Sequence, residues 1–355
     1  MKKKLSLLLA GLLCFGVTGC NKVPNSGFAG TYWLESHTAT NVEKGFYEKI
    51  EYDVSFSEAA GDFMPVLYEM YPDYLNFYVD KDHSSYVTEL YEENGLYVYH
   101  TTLKVSGKYV YGDITYDVEE DVTETISKFK GKADNFACVE TKKTIKNVYP
   151  VTQHPSLDKD FVTVSAEINV AYDGKDANVS VEAKDEASKN LLATMQEPVT
   201  IKKYVTNKKA YMDNELMLLL FRNFSYDKSS SLSYTFNTID TSTGTIKGIN
   251  GSARLPRTTT ESTTTQSAIR GFEEDCYIDT ISDNHMKIKF NCYGVTFKTT
   301  GEYSQEFAYA YYADSIAENI GLKNDPRHYM VKCFRPAIYN IGYFVYTIKT
   351  VTHQR

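Results

Sequence analysis

Six cysteines are the residues of this chain best suited to do chemistry, and their spacing decides which chemistry is open to them. No CxxC pair occurs, so neither a thiolate metal site nor a vicinal redox pair can be built locally. Cys276 and Cys292 flank the turn-forming stretch Ser282-Asp283-Asn284-His285. A three-residue loop centred on Asn284 would set these two thiols opposite each other, which makes them the candidate disulfide. Cys138 and Cys333 are left with two states, a second bridge or buried thiols. The seven histidines are scattered, with no HxxxH or HExxH. Asp80, Asp82 and Ser84 imitate the start of a calcium loop. Ser85 then stands where the glycine belongs and Tyr91 where the closing carboxylate belongs, so a polar hairpin turn is expected instead. Asp117, Glu119, Glu120, Asp121 and Glu124 form an acidic run expected on a solvated face. No GxSxG or phosphate-binding loop is present. No catalytic residue, metal ligand or cofactor site is therefore assigned, and a non-catalytic role is the expectation.

Three fragments are similar to motifs of the serine penicillin-recognising enzymes: Ser127-Lys128-Phe129-Lys130, Ser282-Asp283-Asn284 and Lys298-Thr299-Thr300-Gly301. In that family the nucleophile opens a buried helix and the last motif follows far beyond the second. Here Ser127 lies in a charged, strand-like stretch and the last two fragments crowd together, so the match is coincidental.

The N-terminus has an address written in three parts. Lys2, Lys3 and Lys4 precede an apolar run from Leu5 to Val17, which is 13 residues long. A spanning helix needs about 20, so the run reads as the core of a signal peptide. It ends in Val17-Thr18-Gly19-Cys20, which resembles the lipobox of bacterial lipoproteins. The resemblance implies that residues 1–19 are a signal peptide and that Cys20 is the lipid-attachment residue and first mature residue. Residues 20–28 would then be a short tether holding the protein on the extracytoplasmic face of the cell membrane.

Composition narrows the partners. Removing three lysines and no acid takes the formal charge from −8 to −11, which argues against nucleic acid. The mature length suffices for a real core, read as an N-terminal β-rich unit over 29–150 and a C-terminal α+β unit over 151–355. Strand-type alternation recurs throughout, clearest where Ile50, Tyr52, Val54 and Phe56 share a face. Asn94-Gly95 signals a type I′ hairpin, and Ser106-Gly107 and Asp173-Gly174 further turns. Asp185, Asp213 and Ser304 are positioned to N-cap helices, the last over 305–320, and a fourth is read around 62–70. The helix after Asp213 carries Leu216 to Phe221, apolar nearly all round and so expected to be buried. The threonine-rich segment 257–267 reads as a solvated loop or, because threonine favours strands, as an exposed edge strand.

The fold class is thus α+β, mainly antiparallel sheet as a half-barrel or as two sheet units, with three or four helices. Repeated hairpins leading into a Leu-rich helix are similar in pattern to LolA/LppX-like half-barrel lipoproteins. That resemblance implies a small hydrophobic ligand held between sheet and helices. The other reading is a structural or adhesive envelope protein acting through protein–protein contacts. Tyr97 with Tyr99, and Tyr109 with Tyr111, share strand faces and would either line a groove or pack across strands.

Overall fold

The alternating stretches become strands of unusual length, several of them 12–16 residues long. A computed structural model describes residues 47–58, 75–111, 113–131, 136–150, 161–173, 176–192, 197–202, 213–223, 233–240, 247–254, 269–278, 286–300, 306–313, 329–337 and 342–353. The strands are β1 (Tyr47–Glu58), β2 (Leu75–Val79), β3 (Ser85–Glu93), β4 (Leu96–Tyr111), β5 (Ile114–Phe129), β6 (Cys138–Pro150), β7 (Phe161–Tyr172) and β8 (Asp176–Ala183). They continue with β9 (Val199–Lys202), β10 (Ser233–Asp240), β11 (Lys247–Arg254), β12 (Ile269–Ile278), β13 (Met286–Thr300), β14 (Glu306–Ala313), β15 (Met330–Pro336) and β16 (Gly342–His353). Two helices are described, α1 (Glu186–Leu191) and α2 (Asn214–Leu220), the second continued by a 3₁₀ turn over Phe221–Asn223.

All sixteen strands join one mostly antiparallel sheet, in the order β10-β11-β13-β14-β15-β16-β1-β3-β4-β5-β6-β7-β8-β9. β12 lies off this path on β13 and β16, and β2 on β4. Pro150 pairs with Phe161, so the sheet runs on from β6 into β7 on either side of residues 151–160. Its two ends approach each other, β9 coming up to β11, and Ile239 of β10 packs with a small core around Ile201, Ala166 and Val179. The result is a strongly curved, barrel-like sheet that the β9 and β10 edges leave open.

The concave side is filled from within. Asp213 caps α2 by accepting a hydrogen bond from the Glu215 amide, and every side chain from Glu215 to Arg222 is buried. A short helix that is apolar all round cannot rest on a surface, so it becomes a plug. Phe221 meets Phe297 edge-on at 4.9 Å, and the Tyr312 hydroxyl donates to the Leu218 carbonyl at 2.9 Å. Tyr97, Tyr99 and Tyr109 lie in this core, which settles their shared faces as packing. Tyr52, Tyr86 and Tyr346 continue the aromatic layer, with Tyr86 and Tyr346 stacked at 4.4 Å.

Three sequence expectations are corrected. Residues 306–313 form β14, not the opening of a helix from Gln305. Ala308 and Ala310 alternate with Tyr309 and Tyr311, and pairing with β13 and β15 overrides the helical preference of alanine. The described helices accordingly number two, while the one read around 62–70 falls outside the described residues, as does the threonine-rich segment.

Ser106-Gly107 is not a turn. It sits inside β4 as a bulge opposite β5, and the chain reverses between Tyr111 and Ile114 instead. Gly107 is there because β2 passes close by. A Cβ at this position would overlap the Tyr78 carbonyl oxygen and sit 3.1 Å from the Phe77 ring.

The disulfide between Cys276 and Cys292 is excluded by register. In the β12–β13 hairpin Cys276 faces Met286 and Cys292 faces Arg270. The two cysteines are therefore six positions out of step, roughly 20 Å along the strands, where a bridge needs Cα atoms within about 7 Å. Beyond Cys276, Tyr277 and Ile278 pair in parallel with Thr350 and Val351 of β16. Cys138, Cys292 and Cys333 are buried thiols. Burial pushes Cys138 and Cys333 up to about 12, far too high to serve as thiolate nucleophiles.

Candidate functional site

Where β2, β4 and β5 run side by side, their outer faces form a cleft of about 580 Å³. Register explains its lining: Tyr78 of β2 lies beside Lys108 of β4, which lies beside Asp117 of β5. The bulge at Ser106 then bends the sheet, and the β2–β3 turn wraps over the bend. Ser84 Oγ accepts from the Ser106 amide at 2.9 Å and donates to its carbonyl at 3.1 Å, while the Asp80 amide donates to the same carbonyl at 2.8 Å. Ser106 Oγ reaches across to the Glu119 carbonyl at 2.6 Å. The turn and the two strands are thus stitched into one rigid wall.

The polar groups of this cleft differ from those on the rest of the outer face. Elsewhere carboxylates alternate with cations across the strands. Glu89 and Glu124 flank His100, Glu93 and Glu140 flank Lys128, and Glu167 lies between Lys142 and Lys184. Asn169 and Lys142 together hold the Glu167 carboxyl down at about 2. Inside the cleft, Asp80 pairs with His83 at 2.8 Å, and the hydrogen bond from His83 lowers the Asp80 carboxyl. Asp117 and Glu119 are exposed and form no ion pair among the described residues. Nor does Lys108, whose ammonium stands 5.8 Å over the centre of the Tyr78 ring. Tyr78 is 52% exposed, the most of any large apolar side chain described.

A second polar assembly is buried around α2. Arg222 grips Glu48 of β1 through both nitrogens, at 2.6 and 3.1 Å, and its guanidinium lies 4.8 Å from the centre of the Tyr329 ring. Glu215 accepts from the Tyr86 hydroxyl at 2.7 Å and pairs with Arg335 at 2.8 Å. These groups tie the plug to β1, β3 and β15. Their geometry is that of a clasp holding α2 in place, without a solvent-facing reactive atom. Ser127, the serine of the enzyme-like fragments, is fully buried and hydrogen-bonded to Thr141, and Lys298 lies exposed on β13.

A third polar group is the half-buried Asp121. β5 separates from β6 beyond Val122, and Asp121 bridges the fork by accepting from the Val148 amide at 3.2 Å and from the Asn147 side chain. Burial raises its carboxyl to about 6, with the two hydrogen bonds opposing. A raised acid binds its proton more tightly when folded, so it costs nothing below the unfolded value of 3.8 and progressively destabilises as pH climbs to about 6. Above that the penalty levels at roughly 2–3 kcal/mol. Asp121→Asn should therefore gain on wild type by about 2 kcal/mol between pH 4.5 and 7.5, read from urea midpoints at both values. A difference that stays constant with pH would contradict this.

Of the residues singled out in the sequence, Cys20 lies outside the described segments, and Cys276 and Cys292 do not meet. Asp80, Asp117 and Glu119 do converge, joined by Tyr78, His83 and Lys108, which sequence reading left aside. Their signal was present as an acidic run and a polar turn. What it lacked was the pairing of β2 onto the far half of β4. Glu120 of the same run pairs with Lys104 and Lys146 on the outside, and Asp121 turns inward. Among the described residues no three His, Cys, Asp or Glu side chains converge as metal ligands, and no helix is long and apolar enough to cross a membrane.

No protein-family model and no curated protein matches this chain. Among solved structures, it is similar to a β-barrel-like protein of the domain of unknown function DUF1849 from Brucella abortus. The TM-score is 0.45 at 10% identity, over 87% of this chain and 98% of that one.

Proposed function

We propose that this chain is a lipid-anchored, non-catalytic binding protein of the extracytoplasmic face, held by Cys20, which takes its ligand in the outer cleft and not inside the curved sheet. The observation that carries the proposal is the filled interior. Leu216 to Phe221 occupy the space between the strands, locked there by Arg222–Glu48 and Glu215–Arg335. A carrier of hydrophobic ligands would need that space. The cleft, by contrast, is open, and Asp117, Glu119 and Lys108 in its lining form no ion pair among the described residues.

Native mass spectrometry of the mature chain, purified from a lipid-containing host, tests the interior reading. A bare polypeptide mass beyond the anchor is expected. A tightly held, solvent-extractable lipid that survives the Cys20→Ala change would place a ligand inside and overturn it. The anchor has its own test, because only the thiol accepts the diacylglycerol. Cys20→Ala should abolish acyl labelling and shift the chain from the membrane to the soluble fraction. Undiminished labelling would refute the lipobox.

A further inference from the structure

The geometry points to the outer cleft as a seat for an organic ammonium group, a primary amine on a flexible alkyl chain such as polyamines and lysine side chains both present. This rests on the cleft being the ligand site. It adds which chemistry that site recognises.

The face of the Tyr78 ring already carries a cation. Lys108 has a choice of partners, since Asp117 sits next to it on β5, yet its ammonium stands over Tyr78 and pairs with no carboxylate among the described residues. An aromatic face attracts an ammonium through its quadrupole, and the attraction grows where water is partly excluded. Lys108 thus acts as an internal stand-in that shows what this ring accepts.

Charge supplies the second part. Asp80, Asp117 and Glu119 bring three carboxylates to the lining, against the single ammonium of Lys108 and the imidazole of His83. On the neighbouring outer strands such carboxylates are met by lysines of the same sheet. Here Asp117 and Glu119 are left facing the opening. An incoming ammonium would displace Lys108 from the ring and gain these two acids, while Lys108, on its flexible stem, swings out to solvent. Neutral ligands would gain the ring alone, and anions would be repelled.

Displacement gives the proposal an unusual signature. Removing Lys108 should strengthen binding, because it removes both the internal competitor and a repelling charge. Isothermal titration calorimetry on the purified full chain in a non-ionic detergent would use two probes, spermidine and a Gly-Lys-Gly-Lys-Gly peptide. Tighter binding of spermidine assigns the site to polyamines, and tighter binding of the peptide assigns it to lysine-bearing chains. Tyr78→Ala should weaken binding about tenfold, and Asp117→Asn with Glu119→Gln by a similar factor of about ten at low salt. Lys108→Ala should tighten it by roughly threefold to tenfold. All these side chains are exposed, so the variants should fold normally. Absence of binding by either probe overturns the ammonium assignment. So does a Lys108→Ala chain that binds more weakly than wild type. Either result leaves the filled interior and the anchor to their own tests, so the two failures are distinguishable.

Discussion

Arg222→Met should destabilise the protein by about 3–5 kcal/mol, the cost typical of removing one partner from a buried ion pair. Arg222 and Glu48 are 4% and 2% exposed, and their side chains meet through two hydrogen bonds. Burial by itself would weaken the positive charge of Arg222, but the Glu48 carboxylate more than offsets this and raises the group further above its ordinary value. Arg222 therefore keeps its positive charge, and both of its hydrogen bonds go to Glu48. Methionine fills much of the volume of the arginine stem but removes the cation that Glu48 faces, in surroundings that cannot hydrate a carboxylate. It also removes the contact with the Tyr329 ring.

The double variant Glu48→Met with Arg222→Met separates charge from shape. Replacing a buried pair by apolar groups is often close to neutral, so the double variant should recover most of the loss. Urea unfolding of the wild type, both single variants and the double variant closes the cycle. If the double variant is as unstable as Arg222→Met, the loss comes from packing around α2 and the ionic clasp is not its cause.

Gly107→Ala should be the second most damaging change, at about 3 kcal/mol. The obstacle is backbone, because the added methyl would overlap the Tyr78 carbonyl oxygen, which is fixed by the β2–β4 ladder. A side chain could rotate away. A carbonyl held in a ladder moves only if the strand moves, so β2 must lift from β4. Phe77 would lose its contacts with Tyr109 at 4.6 Å and with Phe344 at 5.6 Å, and the cleft would lose its Tyr78 wall. Hydrogen exchange should accelerate at 75–79 and at the facing residues 107–111, while the β7–β8 hairpin stays protected. Gly95→Ala is the control. Gly95 has φ of 75° in the β3–β4 turn with open space around it, so alanine there costs about 1 kcal/mol of backbone strain and leaves β2 in place. Equal losses of β2 protection in both variants would show that close approach at Gly107 is not the reason for its glycine.

The predictions draw on different depths of the sequence. Asn94-Gly95 was legible because a type I′ turn needs two positive φ angles in succession, and the chain adopts 53° and 75° there. Asp185 and Asp213 were legible as caps because each satisfies amides within three residues of itself. The burial of α2 followed from six apolar residues in a row on a short helix. These are local relationships, closed within a turn or two of chain, and local energetics decides them whatever the rest of the molecule does.

Register, by contrast, is decided by partners far away in sequence. The Cys276–Cys292 spacing suits a hairpin that sets the two side by side, but the ladder pairs Cys276 with Met286 and Cys292 with Arg270, while Tyr277 and Ile278 pair with β16. The alanines of β14 suit a helix, but the ladders on both sides made a strand. Glu48 finds Arg222 across 174 residues, and Tyr86 finds Glu215 across 129. The cleft likewise exists only because β2 returns to pair with the outer half of β4. By itself the sequence determined the resemblance to a lipobox, the antiparallel strands, the Asn94-Gly95 turn and the caps at Asp185 and Asp213, since each depends on neighbours along the chain. Tertiary structure decided the register, the buried ion pairs and the outer cleft, because a one-residue slip in any long strand would send its side chains to the opposite face.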